Sequence, residues 1–182
     1  MKKLAAVLVT VIATLAPLSQ AASAATTTAR TSNAPSCRVH WGTRAKHANR
    51  MVSSKVLRVR AGQHRCFDRL VVELGQGREP GFAVQYVAKI IADGSGKVLH
   101  VRGGARLLIT IQAPAGRRYH PLARNLADVS GFRAFRQVRG AGSFEGVTSI
   151  GLGVRTRLPF RVFEVRGPRS HSRLVIDVAD LK

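Results

Sequence analysis

Nine carboxylates, six histidines and 23 arginines are the side chains in this sequence that could do chemistry, and their spacing decides which kind. The histidines are His40, His47, His64, His100, His120 and His171. They form no H-x-H, H-x-x-H or H-E-x-x-H pair, so nothing supports zinc, and no metal or cofactor is expected. Gly142-Ser143-Phe144-Glu145-Gly146 has the letters of a serine nucleophile elbow but not its G-x-S-x-G spacing. Gly140-Ala141-Gly142 followed by Glu145 narrowly misses G-x-G-x-x-G and lacks a βαβ context. Glycine there is expected to serve a tight turn or a bulge. A glycosidase would need two carboxylates facing each other across a cleft. Most carboxylates here stand beside an arginine instead, as in Asp68-Arg69 and Glu164 near Arg166, which predicts structural pairing. No acid, base and nucleophile set can be named, so the chain is not expected to be an enzyme.

Arginine is the remaining signal. A guanidinium grips carboxylate or phosphate bidentately, so an arginine-lined sheet face could hold an anionic glycan. Arg155 and Arg157 would share one face of a strand, whereas Arg133, Arg136 and Arg139 recur every third residue and would not. Arg133, Arg136, Arg155 and Arg157 are the expected contacts to an anionic polymer; for any single one of them a solvated face is the competing explanation. Phe132, Phe135, Phe160 and Phe163 could stack on nucleic-acid bases if exposed, but their strand neighbours predict core burial. The formal net charge is +21. It favours a polyanionic partner: cell-wall polymer, anionic lipid or nucleic acid. Arginine outnumbers lysine 23 to 7, and a GC-rich genome would produce that bias with no binding role. Charge alone leaves both explanations open.

These side chains need elements to position them. Lys2 and Lys3, an apolar run from Leu4 to Ala16, Pro17 and the small-x-small box Ala22-Ser23-Ala24 have the order of a secretory signal, predicted over residues 1–24. The run is shorter than the ~20 apolar residues of a spanning helix. No later segment is expected to span a bilayer. No cysteine follows the cleavage box, so no lipid anchor is expected. Cleavage would remove two lysines and no acid, leaving a charge of +19.

An even cysteine count in an exported chain predicts one disulfide, Cys37–Cys66; the alternatives are two free thiols or metal ligands, the latter disfavoured because neither cysteine has a C-x-x-C partner. Such a bridge would be worth roughly 3 kcal/mol in the chain-entropy view. Residues 25–53 read as a flexible leader and an N-terminal segment carrying Cys37; within it Trp41, Ala45, Ala48 and Met51 fit a loose helix or a docked loop.

From Val56 onward short β-branched runs alternate with Gly, Pro and Asp. Strands are expected near 56–60, 69–74, 82–91, 97–102, 106–112, 132–139, 147–155, 160–166 and 172–178. Asp93-Gly94-Ser95-Gly96 reads as a hairpin turn, and Leu122, Leu126 and Val129 suggest one short helix at 120–129. Many short strands joined by tight turns predict an all-β fold, a sandwich or a barrel. Arg69-Leu70-Val71-Val72-Glu73-Leu74 echoes Arg173-Leu174-Val175-Ile176-Asp177-Val178, each after an arginine-alternating strand. Either two related hairpins, one in each sheet, or mere convergence on one strand pattern explains the echo.

Cys66 to Leu74, Asp93 to Gly96, Gly142 to Gly146, Gly151 to Arg155 with Pro159 to Phe163, and Arg173 to Val178 occur in that order. As an ordered set they resemble the AMIN-like domain of secreted actinobacterial proteins, over about residues 54–180. Cys37 and Trp41 fit versions of that family with an N-terminal cysteine. The resemblance implies a small β-sandwich of two sheets, at 54–182, and a non-catalytic envelope module. It also implies binding to peptidoglycan or another anionic cell-wall polymer. No amidase or secretin domain follows the last strand, so the module is expected to act alone. The alternatives are a secreted cell-wall hydrolase or hydrolase regulator, and nonspecific polyanion binding, DNA included.

Overall fold

A computed structural model describes residues 37–50, 54–77 and 79–181. The expected signal and the leader up to residue 36 lie outside them. The strands are β1 (Lys46–Ala48), β2 (Val56–Gln63), β3 (Phe67–Gln76), β4 (Phe82–Val87), β5 (Ile90–Ile91), β6 (Val98–Leu99), β7 (Ala105–Ile111), β8 (Phe135–Phe144), β9 (Val147–Val154), β10 (Phe160–Arg166) and β11 (His171–Ala179). They form a five-stranded sheet in the order β1-β4-β7-β9-β8, a four-stranded sheet in the order β10-β11-β3-β2, and the small β5-β6 hairpin. All strand pairs within the sheets are antiparallel. The two large sheets pack as a β-sandwich, and among the described residues no helix is long and apolar enough to cross a membrane.

Period-two alternation builds the core. Leu70, Val72 and Leu74 of β3 and Leu174, Ile176 and Val178 of β11 point inward, against Leu107, Ile109 and Ile111 of β7 and Ile150 and Leu152 of β9. Each such side chain, removed from water, contributes about 1.5–3 kcal/mol. Asp68 joins the layers: its carboxylate, 1% exposed, accepts the backbone N–H of Ala134 at 2.6 Å and of Phe135 at 2.9 Å. That clamp starts β8 at Phe135, three residues later than the sequence pattern suggests, and the strand runs on through two irregularities to Phe144.

Four other expectations are revised. The run 82–91 breaks at Ala88-Lys89, giving β4 and β5, and 97–102 shrinks to Val98–Leu99. The reason lies in β9. Gly151 and Gly153 leave its outer face bare, and the segment around residues 90–102 lies across it. A Cβ at Gly153 would fall 1.8 Å from the Arg102 carbonyl oxygen, and one at Gly151 3.0 Å from Ile90. Residues 120–129 are not a helix. They run along the free edge of β8, where the Gly140 and Gly142 N–H groups donate to Ala123 and Pro121 and the Leu126 N–H donates to Val138. Satisfying an open strand edge outweighs three apolar residues at helical spacing. The two echoing hairpins, β2-β3 and β10-β11, share one sheet rather than occupying one sheet each.

Candidate functional site

The outer face of the four-stranded sheet gathers charge and aromatic surface. Because Asp68, Leu70, Val72 and Leu74 face inward, β3 turns Phe67, Arg69, Val71 and Glu73 outward. By the same alternation β11 presents Arg173, Val175 and Asp177, and β10 presents Arg161 and Phe163. The Asp177 carboxylate is 0% exposed. It is held by Arg69, Nε to Oδ1 at 2.7 Å and Nη2 to Oδ2 at 2.9 Å, and by Arg161, Nη2 to Oδ2 at 2.8 Å. The hydrogen bond to Asp177 raises the pKa of Arg69 above its ordinary value, against the opposing effect of burial. One strand over, Glu73 takes Arg58 at 2.9 Å and Arg60 at 2.6 Å. Four arginines thus share two carboxylates on this face, and Arg173 adds a fifth positive charge, leaving it positive.

Aromatic rings frame those guanidiniums. The Arg161 guanidinium carbon lies 4.4 Å from the ring centre of Trp41, 5.1 Å from that of Phe163 and 5.7 Å from that of Phe67. Arg69 lies 5.1 Å from Phe67 and 5.4 Å from Phe163. Trp41 meets Phe67 edge to face at 5.7 Å, and His64 stacks on the same ring at 4.5 Å. Contacts of this type are worth about 0.5–1 kcal/mol each at exposed sites. Trp41 comes from the N-terminal segment, which is anchored on both sides. The Cys37–Cys66 disulfide fixes one end, and the Phe160 N–H donates to the Gly42 carbonyl at 3.0 Å beyond it. The rings and guanidiniums form a platform on which a sugar ring could stack while its carboxylate or phosphate meets arginine.

The four arginines singled out from the sequence divide. Arg133 and Arg155 converge on Asp180, at 3.2 and 3.4 Å, and Arg133 also donates to the Arg65 carbonyl at 2.9 Å. The Asp180 N–H in turn donates to Cys66, so this pair borders the disulfide and the platform. Arg136 lies elsewhere. Its Nη1 folds onto the carbonyls of Phe132, Arg133 and Phe135, beside a cleft of about 690 Å³. Arg157 stacks on Tyr86 at 4.8 Å. Arg155 and Arg157 lie beyond the end of β9 at Val154, so strand alternation does not govern them.

Ion pairing is extensive, but sequence neighbours are not the partners. Glu164 pairs with Arg50, Glu79 with Arg166 and Arg69 with Asp177, while Asp68 binds backbone. Adjacent residues of a strand point to opposite faces, so their partners come from other strands. Of the four phenylalanines, Phe135 and Phe160 are buried, Phe132 stacks on Phe135 at 5.9 Å, and Phe163 joins the platform. Sequence reasoning missed Trp41, Phe67, Arg69 and Arg161. The signal was the alternation in 67–73 and 160–164; that β11 stands between those strands was not visible.

A mainly apolar cleft of about 790 Å³ lies at the far end of β2 and β3, lined by Leu57, Pro114 and Val147 with Lys55, Gln112 and His171. It contains none of the four arginines. Among the described residues no three His, Cys, Asp or Glu side chains gather as a metal site.

Neither the curated proteins nor the solved structures compared give a match. The family profile of the AMIN-like domain matches residues 54–180, which span β2 to β11 and carry the platform except Trp41, and the chain belongs to that family.

Proposed function

We propose that this protein is a secreted, non-catalytic cell-envelope binding module, and that the outer face of its four-stranded sheet binds peptidoglycan or another anionic wall polymer. Membership of the AMIN-like family supports a cell-wall-related binding role. The observation that carries the finer reading is Arg161 seated among Trp41, Phe67 and Phe163. The rings offer an apolar surface to a sugar face, and Arg69, Arg161 and Arg173 offer donors to an acid group. Arg133 and Arg155, at the border of the platform, extend the contact; Arg136 and Arg157 lie outside it.

A pull-down with teichoic-acid-stripped peptidoglycan across a salt series, beside a DNA-cellulose control, tests this reading. Retention on peptidoglycan at salt that releases the protein from DNA is expected of a shaped site. Parallel release from both would mean that charge alone binds, and nonspecific polyanion binding would replace the proposal. Clearing of peptidoglycan in a zymogram would overturn the non-catalytic part.

A further inference from the structure

The β5-β6 hairpin carries an apolar surface that the wall-polymer reading does not use. Ile91 and Val98 are cross-strand partners, so both side chains project on the same side, and they are 52% and 60% exposed. They are not stray core residues. Ile90, on the opposite side of the hairpin, is fully buried with Val101 and Ala141 over Gly151. The hairpin therefore rests on the five-stranded sheet by one side and turns aliphatic side chains to solvent with the other. Phe144, 53% exposed, lies against Gly94 of the turn; a Cβ there would be 3.3 Å from its ring. An ordinary solvated hairpin carries polar residues at such positions.

The surroundings are basic. Lys89 and Lys97, both exposed, flank Ile91 and Val98 in sequence, and among the described residues neither has a carboxylate partner. Arg139 reaches the hairpin as well, donating to the His100 carbonyl at 2.9 Å. The acids nearby are half-buried Asp93 and exposed Glu145. Exposed aliphatics among lysines fit an interface that is apolar inside and anionic at its surface. A polysaccharide or DNA strand would need the cations but not the aliphatic pair. A second copy of a chain with net charge +21 would be repelled.

We propose that the β5-β6 hairpin docks this protein on an anionic lipid bilayer, with Ile91 and Val98 entering the headgroup–acyl boundary and Lys89 and Lys97 meeting lipid phosphates. The site is separate from the aromatic platform, and its test is independent of wall binding.

A polarity-sensitive fluorophore on Val98→Cys, with the native cysteines held in their disulfide, reads the hairpin itself whatever else the chain binds. With phosphatidylglycerol/phosphatidylcholine vesicles its emission should shift to the blue. With phosphatidylcholine alone, or with the label at the exposed control position Ser130→Cys, it should not. Sedimentation with the same vesicles should show Ile91→Ser/Val98→Ser binding about tenfold more weakly than wild type. No shift at position 98, an equal shift at 130, or equal binding of the serine variant would overturn the proposal. Shifts that appear equally with DNA would assign the surface to polyanions in general and overturn it too.

Discussion

Arg69 of β3 and Asp177 of β11 stand directly opposite each other in the ladder and meet through two parallel hydrogen bonds, at 2.7 and 2.9 Å. The pair is one half of a near-symmetry. The two echoing hexapeptides cross antiparallel at Val71↔Val175, so Arg69 faces Asp177 and Glu73 faces Arg173. The fold thus uses one arginine-and-acid pattern twice on the same outer face.

Asp177 is the acid on which this face depends. With its carboxylate at 0% exposure, Asp177→Asn leaves Arg69 and Arg161 without their counter-charge. The expected loss is about 3 kcal/mol in chemical denaturation, in the range for breaking a buried pair from one side. A loss below half a kcal/mol, roughly the scale of a surface substitution, would show that solvent already screens the pair.

Asp68 should matter through backbone rather than through charge. Asp68→Ala removes the acceptor of the Ala134 and Phe135 N–H groups and leaves both without it in a buried setting. About 2 kcal/mol of stability should go. Hydrogen exchange should quicken first at the start of β8. Uniform loss of protection with no preference for β8 would contradict this role.

The disulfide should act on binding as well as on stability. It anchors the segment that lays Trp41 over Arg161. Cys37→Ala/Cys66→Ala is expected to lose about 3 kcal/mol. Trp41→Ala should keep the fold and lower peptidoglycan retention several-fold, which salt titration of the pull-down will read. Retention unchanged in Trp41→Ala would take the tryptophan out of the site.

Acid should weaken the outer face at Glu73. Burial alone would raise its carboxyl pKa, but hydrogen bonds and charge from Arg58 and Arg60 more than reverse this, and the net value lies below the ordinary one. A depressed folded value means stabilisation that is complete above the unfolded pKa, about 4.3, and is lost as pH falls through the folded value. Stability should be flat down to about pH 5 and decline below about pH 4. Glu73→Gln should show a shallower decline, with Glu79 and Asp128, also depressed, contributing the remainder. Identical acid profiles for variant and wild type would remove Glu73 as a cause.

Much of the sandwich was legible because a strand announces itself locally. Leu70-Val71-Val72 and Arg173 to Val178 alternate with period two, Asp93 to Gly96 reads as a turn, and an even cysteine count behind a predicted secretory leader suggests a bridge. Burial and alternation are properties of a residue and its immediate neighbours, so they survive in one dimension.

The site was decided by which strands lie side by side. Once the strands are in place, period-two spacing puts Arg161 with Phe163 on one face of β10 and Arg69 with Phe67 on one face of β3. That β10, β11 and β3 stand in that order, and that Asp177 binds both arginines, follows from tertiary pairing: β11 joins its hairpin partner β10, 16 residues away at Arg161, to β3, 108 residues away at Arg69. Arg155 and Arg133 met at Asp180 for the same reason, while Arg136 and Arg157 found local carbonyls and a tyrosine ring instead. Sequence alone determined that this chain would be a basic, mostly β protein with one candidate disulfide, which the structure forms. Tertiary structure alone decided which of its arginines became counter-ions to buried carboxylates, which lie among rings, and which surface was left apolar, because a charge's role is set by what packs against it and not by what precedes it in the chain.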